Sequence, residues 1–350
     1  MTSFPLPLTE LFGQYGSYFV YLLVGLAFGA TLETAGFGNS KKLAAQFYFK
    51  DLTVFKVMFT AIIVACVLIF LSSAVGLLDY NLVWVPPTYL WPGIVGGLIM
   101  GVANERSIAW GIAKAMAEAG AELAFSYQGE AFGKRLEPLA ASVGSDFMVD
   151  VDVSDDASLD AAFDQLGKRW PSIDFLVHAI AFSDKSELQG RILNTSRSNF
   201  KNSLDISAYS FIDVARRAHP LMVENGGTLL TLTYMGSTRV TPKYNVMGVA
   251  KAALEASVRY LANDLGPEGI RVNAISPGPM KTLAGAAIGG ARKTYKHTDQ
   301  NAPLRSNATL EAVGGTAVYL ASDAGACTTG EIVRVDGGFH VLGMPQYDHL

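Results

Sequence analysis

The chain has 350 residues, with 27 basic and 31 acidic side chains and a net charge of −4. That balance excludes a protein that binds nucleic acid through a basic surface. Its two cysteines, Cys66 and Cys327, are too far apart in sequence to give a metal-ligand spacing or a disulfide framework, so no metal is expected. The mean hydropathy of +0.27 hides a split. Only eight charged side chains (Glu10, Glu33, Lys41, Lys42, Lys50, Asp51, Lys56 and Asp79) fall in the first hundred residues. Two solvents are implied, lipid for the first stretch and water for the rest.

Ser17 to Ala30 is an unbroken run of apolar and small residues, and Val57 to Leu78 is a second without a charge. A bilayer crossing takes ~20 residues, so the second run is long enough and the first becomes so if extended through Gly36. The expectation is an α-helical transmembrane pair, holding the chain to the inner (cytoplasmic) membrane through residues 15–78. No basic segment precedes Ser17, which argues against a cleaved signal peptide. Lys41, Lys42 and Lys50 place the intervening loop in the cytoplasm. Two spans would send the remaining chain outward. A third, over Leu90 to Val102, would return it to the cytoplasm, the expected side. Ile94 to Val102 is thus claimed twice, as a membrane helix and as the first strand of the downstream domain. The strand is expected to prevail, because a sheet with many downstream partners satisfies its backbone. The segments Tyr21 to Gly29, Gly36 to Lys42 and Leu90 to Gly101 together resemble the start of YeeE/YedE-type sulphur-compound transport proteins, over residues 15–101. The Cys-Pro-Gly segment of that family is absent, so the resemblance implies a truncated transporter-like segment over 1–96.

From Gly97 short apolar runs alternate with amphipathic stretches. Leu98 to Gly101 predicts a strand and Ile108 to Ala119 a helix. Leu123 to Tyr127, Phe147 to Val151 and Ile173 to His178 predict strands, with helices over Ala131 to Ser142 and Leu159 to Arg169 between them. That alternation predicts an α/β domain over 97–350, a Rossmann-like, doubly wound parallel sheet.

Its motifs fall where a dinucleotide would lie. Gly101 ends the first strand; Ser107 is expected to cap the next helix, which Ile108 opens and whose amino terminus favours a pyrophosphate. Gly111 is expected to let that helix approach the sheet. Gln128 ends the second strand, where a ribose hydroxyl is held. No Arg follows, and Glu130 would repel a 2′-phosphate, so NADH is expected over NADPH. Asp152 and Val153 suit the adenine edge, and His178 is expected to be structural. The stretch after His178, where Ala179 and Ile180 would meet the nicotinamide ribose, is rich in small residues that leave room for it. Tyr244 and Lys251 are seven apart, two helical turns, and are expected on one helix face. There the lysine would favour the phenolate. Leu229 to Tyr234 predicts the fifth strand, and Arg271 to Leu283 a sixth strand and a loop, with Pro279, Met280 and Thr282 near the carboxamide.

Residues 97–345 resemble the NADH-dependent enoyl-[acyl-carrier-protein] reductases, a divergent branch of the short-chain dehydrogenase/reductase superfamily. Other branches use Tyr-x-x-x-Lys, but Tyr244 plus four is Gly248; the enoyl branch uses Tyr-x6-Lys with a second tyrosine ten residues upstream, here Tyr234. The resemblance implies NADH/NAD as cofactor, an enoyl thioester on acyl carrier protein as substrate, and a homo-oligomer, commonly a tetramer. It assigns Tyr234, Tyr244 and Lys251 to catalysis, with Ala181, Phe182, Met247 and Leu283 joining the two tyrosines around the substrate. Thr282 to His297 is expected to form a mobile lid, with Arg292, Lys293 and Lys296 able to meet an acidic carrier. The alternatives are a keto or alcohol oxidoreductase of the same superfamily, and a membrane transport protein with an appended, inactive reductase.

Overall fold

The computed structural model describes residues 96–349 except 284 and 286–288, the helix Thr53–Ala74, and scattered positions between 13 and 31. The chain divides into two compact units, Met1–Pro86 and Pro87–Leu350.

In the first unit, helix α1 (Thr53–Ala74) is 22 residues long and exposes Ile63, Val64, Val67, Leu68 and Leu71. Of the expected pair of membrane-crossing helices, only the stretch in α1 is described without a break, and among the described residues no helix is long and apolar enough to cross a membrane. Part of Ser17 to Ala30 and residues 75–78 lie outside the described residues. Lys41, Lys42, Lys50 and most of the transporter-like stretch also lie outside them.

The second unit is a seven-stranded parallel sheet. Its strands are β1 (Gly96–Met100), β2 (Glu122–Tyr127), β3 (Phe147–Asp150), β4 (Phe175–His178), β5 (Gly227–Leu232), β6 (Ile270–Pro277) and β7 (Ile332–Val335). They lie in the order β3-β2-β1-β4-β5-β6-β7. The chain winds outward from β1 to β3, then crosses back to β4 on the other side of β1. The doubly wound expectation holds, and the contested stretch is a strand. Gly97 suits this use. A Cβ there would stand 2.2 Å from the Phe175 carbonyl oxygen, so β1 and β4 approach only because that side chain is missing.

The central strands are largely apolar because both faces are covered. Successive residues feed opposite layers. Leu98 and Met100 pack with Leu159, Phe211, Val214, Leu254 and Val258 on one face. Ile99 packs with Ile112, Met116, Leu136, Val313 and Ala317 on the other. The first face is covered by α4 (Asp156–Arg169), α6 (Ser210–Ala218) and α7 (Val246–Leu265). The second is covered by α2 (Ile108–Glu118), α3 (Glu130–Ser142) and α9 (Leu310–Ala321). Helices α5 (Arg197–Leu204) and α8 (Ala291–Asn301) complete the unit.

An ion-pair cluster joins α4 to α6. Arg217 reaches Asp160 at 2.6 Å, Asp156 at 3.0 Å and Asp213 at 2.5 Å, and Asp213 is 3% exposed. Removing the guanidinium would leave a buried carboxylate with less compensation. Arg217→Met is therefore expected to destabilise the fold by about 3–5 kcal/mol, read by urea unfolding. A loss below about 1 kcal/mol, typical of exposed pairs, would show that the cluster acts as a surface one.

Candidate active site

The carboxyl ends of β1 and β4 flank the point where strand order reverses, the crevice where such sheets take ligands. Gly101 follows β1 with φ +93°, and a Cβ there would meet the Ala179 carbonyl oxygen at 2.3 Å. Glycine is required twice over, by conformation and by closeness. Ser107 stands at the N-cap of α2, before Ile108, but not as expected. Its hydroxyl donates to the Asn104 carbonyl at 2.6 Å and makes no cap bond, so that side chain does not compete with an anion for the N–H groups at the start of α2. Gly111 also differs: a Cβ there would meet Leu310 Cβ at 2.8 Å, so it lets α2 approach α9 and not the sheet.

Beyond β2 and β3, Gln128 is exposed and hydrogen-bonds the Asp152 side chain. Asp152 accepts from the Ser154 hydroxyl at 2.6 Å and the Ser154 N–H at 2.9 Å. The Ser154 bonds, and then Gln128, hold its carboxyl below the usual range against partial desolvation. Val153 and Ile180 are half-buried against one core layer and Ala179 against the other. A polar end at Gln128 and Asp152, an open helix terminus at α2 and small residues after β4 fit an extended dinucleotide.

At the other end of the crevice, Tyr234 and Tyr244 stand edge-to-face with ring centroids 5.1 Å apart. Tyr244 and Met247 are buried with Leu188 and Val246. The expectation that Tyr244 and Lys251 share a helix face is corrected. Helix α7 begins at Val246, and Tyr244 lies in the preceding turn between Lys243 (φ 63°) and Asn245 (φ 40°). Two left-handed residues there break any helix. The Asn245 amide holds the turn by donating to the carbonyls of Glu187, Leu188 and Gly190 at 3.3–3.4 Å. Lys251 is buried in the second turn of α7 and donates to the Leu232 carbonyl, at the end of β5, at 2.7 Å. Two glycines make this packing possible. A Cβ on Gly236 would stand 2.5 Å from the Tyr244 ring, and one on Gly248 would stand 2.8 Å from the Gly236 carbonyl oxygen.

Burial dominates the electrostatics. It pushes the Tyr234 phenol up to about 12. It raises Tyr244 well above the ordinary tyrosine range, with Tyr234 and Glu255 adding to the shift. The expected phenolate-favouring effect of Lys251 is therefore corrected, because desolvation outweighs it. Burial also pulls the Lys251 ammonium down to about 8, against the opposing attraction of Glu255. His178 is structural, as expected. It is fully buried, 2.9 Å from Ser210 Oγ and 3.2 Å from Thr231 Oγ1, and is pulled down to about 3 by burial and then by Lys251.

Of the other substrate candidates, Ala181 and Phe182 are exposed. Phe182 exchanges hydrogen bonds with Ser207, whose hydroxyl also lies 3.9 Å from the Met247 sulphur. Phe182 and Met247 are thus brought together by Ser207, which sequence reading passed over. Pro279, Met280, Thr282 and the exposed Leu283 follow β6; the Thr282 hydroxyl accepts from the Gly285 N–H at 2.9 Å. In the stretch expected to form a lid, Thr282 to His297, the part from Ala291 onward is helix α8; residues 284 and 286–288 lie outside the described ones. Glu255 was also missed. A charge on the buried face of α7, four residues after Lys251, was the available signal.

Residues 101–340 match the family model described as enoyl-(acyl carrier protein) reductase. A curated relative from Rhizobium meliloti (strain 1021), enoyl-[acyl-carrier-protein] reductase [NADH] 2, is 59% identical over 254 residues, 73% of this chain and 94% of its own. The corresponding protein of Escherichia coli (strain K12) is 48% identical over 252 residues, 72% of this chain and 96% of its own. Among solved structures, the enoyl-(acyl-carrier-protein) reductase from Anaplasma phagocytophilum in complex with NAD is 54% identical at a TM-score of 0.69, covering 73% of this chain and 95% of that one. A Candidatus Liberibacter asiaticus protein of the same kind is 52% identical at a TM-score of 0.71, covering 72% and 97%. With its fold, its paired tyrosines and these likenesses together, the chain belongs to the enoyl-(acyl carrier protein) reductase family.

Proposed function

We propose that residues 97–350 reduce trans-2-enoyl-[acyl-carrier-protein] to acyl-[acyl-carrier-protein] with NADH, a step of fatty-acid synthesis. The observation that carries this reading is the Tyr234–Tyr244 pair with Lys251 seven residues on and Gly248 between. A keto or alcohol reductase of the superfamily needs lysine at Tyr244 plus four. That position is Gly248, where even a Cβ would crowd a backbone oxygen.

Bound along the crevice, NADH supplies the hydride. Gly101, Ser107 and Ile108 would hold its pyrophosphate, Gln128, Asp152 and Val153 its adenosine end, and Ala179, Ile180, Lys251, Pro279, Met280 and Thr282 its nicotinamide end. The hydride goes to the β-carbon, negative charge collects on the thioester oxygen, and a proton taken from solvent at the α-carbon completes the saturated thioester. Tyr244, kept protonated by burial, donates a hydrogen bond to that oxygen, where charge grows in the transition state. Lys251 supports the charge, Tyr234 shapes the thioester end, and Ala181, Phe182, Met247 and Leu283 line the acyl path. Labelled NADH tests this. With deuteride at the transferring position and a crotonyl thioester, the expected product is a saturated thioester with deuterium at the β-carbon. An unlabelled product, or none, contradicts the reading.

Lys251 sets a pH dependence. Its ammonium is lost near pH 8 in the folded protein, against an ordinary value of 10.5. Activity is expected to fall on an alkaline limb centred near 8. Stability should move the other way. Between about 8 and 10.5 the unfolded chain keeps a proton that the folded chain has released, so stability rises with pH across that window. The difference between wild type and Lys251→Met, in unfolding and in pH–rate profiles, isolates both effects. A flat difference contradicts the assignment.

Three finer readings rest on the surface. Arg292, Lys293 and Lys296 are on the polar helix α8 and suit an acidic carrier protein. Phe200, Tyr209, Ile212 and Tyr260, exposed on and near α5, α6 and α7, suit a homo-oligomer such as a tetramer, which light scattering reads. The charge-poor residues 15–78, with apolar side chains exposed on α1, suit attachment to the inner membrane with the reductase on its cytoplasmic side. Recovery of the intact chain in the soluble fraction contradicts attachment.

A further inference from the structure

Glu255 lies on α7 one turn beyond Lys251 and is only 4% exposed. A buried carboxylate is costly unless it is hydrogen-bonded. Here one oxygen, Oε1, accepts from the Thr233 hydroxyl at 2.7 Å and from the Ser237 hydroxyl at 2.5 Å. Those residues bracket Tyr234. Thr233 precedes it, and Ser237 closes the short 3₁₀ turn (Met235–Ser237) that Tyr234 caps. Gly236, within that turn, is the residue packed on the Tyr244 ring. A single carboxylate oxygen thus grips both ends of the segment that sets the two tyrosines against each other.

We propose that Glu255 is a positioning residue for the enoyl reduction, pinning Thr233 and Ser237 so that Tyr234 and Tyr244 hold their edge-to-face arrangement beside Lys251. The inference rests on the assignment of Tyr244 and Lys251 to the reaction. Its charge works in the same sense as its geometry. The ionisable groups it acts on are Lys251 on its own helix and Tyr244 on the segment before α7; Lys251 in turn acts on His178 at the end of β4, which burial keeps neutral. After burial and Tyr234, Glu255 is the third influence holding the proton on Tyr244, and it is the one that opposes proton loss from Lys251. Both groups act in the protonated form, so the carboxylate favours the working state of each.

Glu255→Gln keeps an acceptor oxygen in place and removes the charge; Glu255→Ala removes both. The measurements are kcat, the enoyl-thioester KM, NADH affinity by fluorescence titration, and the pH–rate profile. Glu255→Gln is expected to lower kcat about tenfold, the scale of exchanging charge-assisted for neutral hydrogen bonds. It should leave NADH affinity unchanged and move the alkaline limb to lower pH, because Lys251 loses its stabilising partner. Glu255→Ala should lower kcat about a hundredfold, as expected when reacting groups are misplaced. Wild-type kcat and an unmoved alkaline limb in Glu255→Gln overturn the inference, whether or not Glu255→Ala folds. Tyr244→Phe, measured alongside, separates the two readings. If it is crippled while Glu255→Gln is normal, only the role of Glu255 fails. If Tyr244→Phe is itself normal, the assignment of the site fails.

Discussion

Tyr244→Phe is expected to lower kcat by about 10²- to 10³-fold while leaving folding and NADH affinity intact, the magnitude seen when one donor to a developing oxyanion is removed. The ring is buried among Leu188, Val246 and Met247, and phenylalanine keeps that packing. Only the hydroxyl is lost. Because burial already holds Tyr244 in its protonated form, the wild-type donor is present at every pH where the protein is folded and active. The loss should therefore be nearly independent of pH up to the alkaline limb set by Lys251. The check is steady-state kinetics with a crotonyl thioester, beside fluorescence titration of NADH. A loss confined to KM would show that Tyr244 binds substrate and transition state alike, and would remove it from the chemistry.

The second large effect is expected from a residue that carries no functional group. Gly236→Ala places a Cβ 2.5 Å from the Tyr244 ring, and that ring is hemmed in by its buried neighbours. The tyrosine must tilt or the 3₁₀ turn must open. Overpacking of this kind costs about 1–3 kcal/mol of stability. Displacing a reacting group by about 1 Å can cost about 10² in rate. The expected pattern is a kcat about a hundredfold lower, with NADH affinity kept, since Gly101 and the first turn of α2 are untouched. Kinetics paired with urea unfolding reads both quantities. An active, fully stable Gly236→Ala would show that the tyrosine pair tolerates displacement.

The sheet was legible because it rests on runs such as Leu98 to Met100 and Leu229 to Leu232, whose apolar character follows from burial on both faces. Tyr234, Tyr244 and Lys251 were legible because their spacing is a linear property of the chain. What sequence could not carry was conformation that only packing enforces. The left-handed backbone at Lys243 and Asn245 takes Tyr244 off the helix, and nothing in those residue types demands it. Gly111 was read as facing the sheet, whereas its partner, Leu310, is far away in sequence. Ser107 has the residue type of a cap but turns back to Asn104. Lysine next to tyrosine suggested a lowered tyrosine pKa, and full burial reverses the sign. Glu255 passed for an ordinary helical charge, because its hydroxyl partners lie on a different segment.

The most direct test of the central claim is a side-by-side rate measurement on the full chain, with NADH oxidation measured on a crotonyl or dodecenoyl thioester and on an acetoacetyl thioester. Rapid NADH oxidation with the enoyl substrates and little with the keto substrate is the expected result. Rapid oxidation with the acetoacetyl thioester alone would contradict it, and would place the chemistry of Tyr244 and Lys251 with the ketone reductases.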